Sequence, residues 1–308
     1  MRKEGVFMMS AALFLALCMG LAGFDSFNYD IFGKEETLIS TESVVELNYL
    51  AMAETYPEIP LQTHPTVNYN DSKSWWFNRV NTGVAPTAQR DISILDYDAY
   101  YLGDTSRKVI YLTFDEGYEL GFTPMILDTL AKNDVKAAFF VTKGFLESQP
   151  ELAKRMVEEG HVVGNHSATH PQFSTISDEE ITKELKDCAN YFFDITGKEM
   201  DPFFRPPAGE YSIRVLERVL NEDYKTIFWS FAYRDWITDE QPGKGVAYDM
   251  AMTYSHNGCI MLLHAVSESN TLALDDIIKD LKAKGYSFES LYDLPESEKL
   301  LEALKNKR

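Results

Sequence analysis

Between Lys108 and Phe288, short apolar runs alternate with longer stretches of helical period, and nothing else in the chain constrains the fold as strongly. Residues 109–114, 137–141, 161–164, 203–204, 226–231 and 259–263 read as strands. The stretches between them carry helix signals. Thr123 caps a helix with Pro124 at its first position. Pro150 opens a second that Gly160 closes. Ser177 with Glu180 makes a capping box for a long helix reaching Thr196. Ser212 caps the next, and residues 246–255 and 275–284 supply two more, with 286–288 leading out. About seven β/α units in succession predict an α/β fold built on a parallel sheet or barrel. No glycine-rich phosphate loop follows any strand, which argues against a nucleotide-binding fold.

The flanks have a different character. Arg2 and Lys3 precede an uncharged, almost wholly apolar run, 6–24, so residues 1–24 read as an export signal or a single N-terminal membrane anchor. Leu17 before Cys18 argues against lipidation. Residues 25–70, with Pro57, Pro60 and Pro65, read as a polar stalk holding one short helix near 41–56. Residues 71–294 form the folded domain, with a motif core at 108–294, and 295–308 a polar tail. Trp75, Trp76 and Phe77 are expected to pack on that domain. Cys188 and Cys259 are expected to be buried thiols. The 308 residues carry 29 Lys and Arg against 48 Asp and Glu, a net charge of −19, which argues against a nucleic-acid partner.

Polar residues with chemical potential sit at consecutive strand ends: Asp115 and Glu116, His166 and His170, Arg205, Asp235, His264. In a parallel barrel all strand C-termini open on one face, where active sites are built. His166 and His170, at i and i+4, can converge on one metal ion, and Ser167 excludes the zinc-protease pattern, which needs a glutamate there. Adjacent carboxylates on an extended exit point apart, so one of Asp115 and Glu116 can face a metal and the other an attacking water. Two prolines after Arg205 fix its backbone, and its guanidinium can keep a carboxylate ionised. Asp235 can hold the His264 ring and favour its protonated form. The structural alternatives are an acidic turn, a surface arginine and a core histidine. His161 and His256 read as structural. Trp236 and Tyr211 are candidates for stacking on sugar faces. For Trp75, Trp76 and Trp229 core packing is the favoured reading.

These residues resemble the motifs of the polysaccharide deacetylase family, also called the chitooligosaccharide deacetylase homology family. Thr113-Phe-Asp-Glu-Gly117, His166-Ser-Ala-Thr-His170, Arg205-Pro-Pro-Ala-Gly209, Asp235-Trp236 and Leu262-Leu-His264 match its five motifs in order. The runs YLGDTSRKVIYLTFDEGYE, RMVEEGHVVGNHSATHP, FFRPPAGEYS, FWSFAYRDW and LLHAVS are most similar to the delta-lactam-biosynthetic de-N-acetylases, which act on muramic acid in spore-cortex peptidoglycan. The resemblance implies a distorted (β/α)7 barrel. It implies Asp115 as general base, Glu116, His166 and His170 as metal ligands and Arg205 as the group orienting Asp115. It further implies His264 as general acid tuned by Asp235, and the Ala208 amide as oxyanion donor. Trp236, Tyr211 and Leu262 would face the sugar. It implies one divalent metal (Zn, with Co, Mn or Mg as alternatives), peptidoglycan strands as substrate, and an amidase acting first. A monomer working outside the membrane or in the forespore intermembrane space would follow. Glu116 and Ala232 depart from the family pattern, each standing where an aspartate is usual. Two rival readings are a deacetylase of chitin or acetylated xylan and a catalytically silent glycan-binding module.

Overall fold

The computed structural model describes residues 69–80, 83–89, 93–297 and 299–300, all within the compact unit Pro65–Arg308. The expected export segment, the helix near 41–56, nearly all of the stalk and the end of the tail lie outside the described residues. Among the described residues, no helix is long and apolar enough to cross a membrane.

Three two-residue strands come first: β1 (Lys73–Ser74), β2 (Phe77–Asn78) and β3 (Thr87–Ala88). The barrel elements follow in chain order: β4 (Ala99–Tyr100), β5 (Val109–Glu116), α1 (Thr123–Lys132), β6 (Ala138–Val141), α2 (Lys143–Ser148) and α3 (Pro150–Glu158). Then come β7 (Val162–Asn165), α4 (Asp178–Thr196), β8 (Phe203–Phe204), β9 (Glu210–Tyr211), α5 (Ile213–Leu220) and β10 (Lys225–Ile227). The last are α6 (Lys244–Tyr254), β11 (Cys259–His264), α7 (Glu268–Ala283) and β12 (Ser287–Phe288). The main sheet runs β11-β5-β6-β7-β8-β10-β4, with β12 added on β5, and every pairing within it is parallel. Its two ends meet through isolated bridges, Phe231 to Met261 and Leu102 to Cys259, rather than through a ladder. The result is the expected distorted barrel.

The pleat of β5 decides which side chains reach the site. Ile110, Leu112 and Phe114 pack outward in one apolar cluster with Ile126, Leu127 and Leu130 of α1. Val109 and Tyr111 join Phe140, Phe203 and Ile260 in another. Successive strand residues alternate faces. Asp115 therefore shares the face of Val109 and Tyr111, whereas Glu116 shares the helix-side face of Phe114.

Several boundaries differ from expectation. β5 runs on through Asp115 and Glu116, so both are strand residues rather than exit residues. Thr123 is the first helical residue, not the cap, and Phe122 in the cap position offers no side-chain hydrogen bond. β10 stops at Ile227, because the chain then leaves the ladder and only Phe231 rejoins the sheet. α7 begins at Glu268, where Ser267 Oγ accepts the Asn270 N–H at 3.2 Å. The Ser177/Glu180 capping box and the Ser212 cap are as expected. Trp75 is buried on Phe228, their rings 4.5 Å apart, but Trp76 is 55% exposed and not core. Cys188 and Cys259 are free and buried, and burial pushes the Cys259 thiol up to about 12. Leu300, assigned to the polar tail, is buried beside Tyr100 and Tyr111.

Candidate active site

The C-terminal ends of the parallel strands open on a pocket of about 620 Å³. Asp115, His166, His170, Ala208, Leu262 and His264 all line it, as does Trp236. β11 and β5 run side by side, with His264 paired to Asp115 in register, so the two polar strand ends are neighbours.

Asp115 is held from below. Arg205, fully buried, gives Nη1 to Asp115 Oδ1 at 2.7 Å and spends its Nε on the Ile227 carbonyl at 3.0 Å. The guanidinium carbon lies 4.1 Å from the centre of the Phe140 ring, so the cation is fixed by packing as well. Burial would raise the Asp115 pKa, but the charges of Arg205, His166 and His264, together with the Arg205 hydrogen bond, outweigh it and hold the carboxyl below the usual carboxylate range.

His264 is held from the other side. Asp235 is buried, takes the His264 Nδ1–H at 2.8 Å on Oδ1, and takes the His264 backbone N–H at 2.9 Å on Oδ2. Asn270 of α7 donates to that same Oδ2, and Tyr233 donates to Asn270. Burial pulls the His264 pKa down, but the hydrogen bond and charge of Asp235, helped by Asp115, leave it above the ordinary histidine value. Because Asp235 occupies Nδ1, Nε2 is the nitrogen left to carry a proton toward substrate. Trp236 lies beside the ring, its centroid 5.5 Å away, and is 47% exposed.

His166 and His170 form the third group. The Arg205 carbonyl sits 2.8 Å from His166 Nδ1, and a carbonyl only accepts, so Nδ1 carries the hydrogen and Nε2 keeps a lone pair. Nε2 lies 3.7 Å from Asp115 Oδ2. Ser167 and His170 adopt left-handed φ of 72° and 59°, a tight reversal that swings the second imidazole to 5.0 Å from the first. Burial holds His166 down at about 4 and also lowers His170, so both rings are neutral donors at neutral pH. Neutral, adjacent imidazoles fit two positions of a divalent-metal site.

Glu116 does not join them. Its carboxylate lies 3.4 Å from Thr123 Oγ1 on the helix side of β5, and it does not line the pocket. Burial pushes its pKa well above the usual range and the nearby charge of Glu119 adds to this. The expectation of Glu116 as a metal ligand beside His166 and His170 is thus corrected: it stands apart from both. Among the described residues, no three or more His, Cys, Asp or Glu side chains are arranged to hold a metal ion. Tyr211 is corrected too: it is fully buried against Trp75 and Phe228 and bonds Gln89, so no sugar reaches it. Trp229, read as core, is half-buried and also lines the pocket. His161 and His256 are structural as expected: His161 Nδ1 takes the Ala137 N–H at 3.1 Å, and His256 bridges the Tyr254 carbonyl and Ser230 Oγ at 3.0 Å each.

Ala208 takes a left-handed φ of 54° just before Gly209, itself at 66°, and both residues of this kink line the pocket. Asn270, which no motif marks in the sequence, completes the support of Asp235, and Arg234, next to Asp235, also lines the pocket.

Known proteins share this framework. The polysaccharide deacetylase family profile matches residues 102–227. Peptidoglycan-N-acetylmuramic acid deacetylase PdaA of Bacillus subtilis (strain 168) is 46% identical over 227 residues, 73% of this chain and 86% of PdaA. The solved structure of Bacillus subtilis PdaA, a family 4 carbohydrate esterase, superposes with a TM-score of 0.71 over 73% of this chain and 97% of that one. A family 4 carbohydrate esterase from Bacillus anthracis, 40% identical, superposes with a TM-score of 0.60 over 74% and 98% of the two chains. The chain therefore belongs to the polysaccharide deacetylase family and is a hydrolase of carbon–nitrogen bonds other than peptide bonds.

Proposed function

We propose that the protein removes the N-acetyl group from N-acetylmuramic acid residues of peptidoglycan, on the way to muramic delta-lactam in spore cortex. The observation that carries the chemistry is one pocket presenting an ionised Asp115 and a His264 braced to hold a proton, beside two neutral imidazoles. The similarity to PdaA supports the muramyl substrate.

Asp115 accepts a proton from water as its oxygen attacks the acetyl carbonyl carbon. Arg205 keeps the carboxylate aimed and ionised before that step. The Ala208 amide donates to the tetrahedral oxyanion. His264 then passes its Nε2 proton to the sugar nitrogen as the carbon–nitrogen bond breaks, leaving acetate and a free amine. A divalent cation held by His166 and His170, with Zn the first choice and Co, Mn or Mg the others, would supply Lewis acidity toward the carbonyl and the water. Leu262 and Trp236 wall the sugar site. The N-terminal segment implies export, and an amidase that strips stem peptides implies a preceding step. Acetate release from peptide-stripped peptidoglycan and from chitin oligomers, followed by mass spectrometry, tests the reading. Turnover of chitin with none of the muramyl strand would replace it with the chitin-type activity, and no acetate from either would favour a silent binding module.

A further inference from the structure

N-Acetylmuramic acid differs from N-acetylglucosamine by a lactic acid ether at O3, on the carbon next to the reacting acetamide. Without its stem peptide that lactyl group ends in a carboxylate. A residue that recognises it must stand on the wall of the pocket that takes the acetamide. The chain as a whole carries −19, so an anionic sugar approaches against a repulsive field unless a local cation offsets it.

Among the described residues lining the pocket, Arg234 is the one lysine or arginine. Arg205 nearby is fully buried and committed to Asp115 and two backbone carbonyls. Arg234 differs on each count. Its backbone is fixed between Tyr233 and Asp235, both buried and both tied to Asn270. Its side chain is 65% exposed, and its Nη2 meets Glu240 Oε2 at 3.0 Å, a carboxylate itself 64% exposed. An exposed pair of this kind holds little free energy. A guanidinium has five N–H donors, so one contact leaves a fork able to take a second carboxylate. Resting on the muramyl reading above, we infer that Arg234 is the specificity-determining residue that binds the free lactyl carboxylate, with Glu240 holding the guanidinium when no substrate is present. A stem peptide converts that carboxylate into a neutral amide and removes the charge partner. The reaction that releases the peptide therefore has to come before this one.

The test is a double-mutant cycle between protein and substrate. Wild type and Arg234→Gln are assayed on muramyl oligosaccharides bearing the free lactyl acid and on the same oligosaccharides as lactyl methyl amides. Wild type is expected to favour the acid by on the order of 10-fold in kcat/KM, carried in KM. In Arg234→Gln that ratio falls toward one, and Arg234→Lys restores part of it. Equal losses on both substrates, or a wild type indifferent to the acid, would overturn the role of Arg234 while leaving the muramyl reading intact. A wild type that deacetylates chitin oligomers and neither muramyl substrate overturns the muramyl reading, and this inference with it.

Discussion

At the scale of the residue, the site sets two pKa values apart in the useful directions. Arg205 holds Asp115 below its ordinary value, and Asp235 holds His264 above its own. Catalysis needs the first ionised and the second protonated, so kcat/KM is expected to form a bell. Its acid limb lies below the usual carboxylate range and its alkaline limb above the usual histidine value. Asp235→Asn removes the charge that raises His264 and leaves burial to dominate, so the alkaline limb moves to lower pH. An unmoved limb would separate Asp235 from proton delivery. The linked stability has the same sign: the His264–Asp235 pair contributes fully below the unfolded histidine value and fades as pH rises through the raised one. Asp115→Asn or His264→Ala is expected to lower kcat by on the order of 10² or more. Near-normal acetate release by either variant would remove that residue from the mechanism. Polar residues at apolar strand ends made Asp115, His166, His170 and His264 legible in the sequence. Glu116 and Tyr211 were not, because facing is a matter of strand parity. Alternation says that Asp115 and Glu116 face apart but not which of the two faces the site, and the groups that bury Tyr211, Trp75 and Phe228, lie too far along the chain for a local pattern to report.

At the scale of the element, helices with caps were the easiest to place, since Ser177 with Glu180 and Ser212 are local signals. Boundaries set by tertiary contact were the hardest. β10 is cut short, and β4 is too brief to show any period, yet it forms one edge of the sheet ladder. The same tertiary logic explains Gly164 in β7. A Cβ there would stand 2.8 Å from Phe140 Cε1 and 2.8 Å from the Phe203 carbonyl oxygen, with the aromatic ring and a neighbouring strand both fixed. Gly164→Ala is therefore expected to cost about 1–3 kcal/mol, as overpacking does. The denaturation midpoint reports it, and an unchanged midpoint would mean the sheet opens there at no cost. The shift would also press on Asn165 and His166 next in the chain, so activity should fall with stability.

At the scale of the whole molecule, metal and fold are linked. If His166 and His170 hold a divalent cation, chelation abolishes acetate release, and added Zn restores it and raises Tm by ligand linkage. His166→Ala with His170→Ala should erase the rise in Tm, and a rise that survives would place the cation elsewhere. The barrel itself depends on residues outside the recognisable motifs. The family profile begins at residue 102 and the motif core at Lys108, yet β4 pairs with β10, and Ile94, Leu95, Ala99, Tyr100 and Leu102 are all buried. Trp75 adds its stack on Phe228 and donates Nε1–H to the Trp229 carbonyl at 2.9 Å. Each fully buried large apolar side chain contributes about 1.5–3 kcal/mol. Losing five of them (Trp75, Ile94, Leu95, Tyr100 and Leu102) removes about 8–15 kcal/mol, as much as the roughly 5–15 kcal/mol that keeps a domain folded. A chain starting at Lys108 should consequently show no cooperative unfolding transition in urea, while the full chain shows one. If the shortened chain unfolded at the same midpoint, the segment 69–107 would be an ornament on the barrel rather than part of its wall.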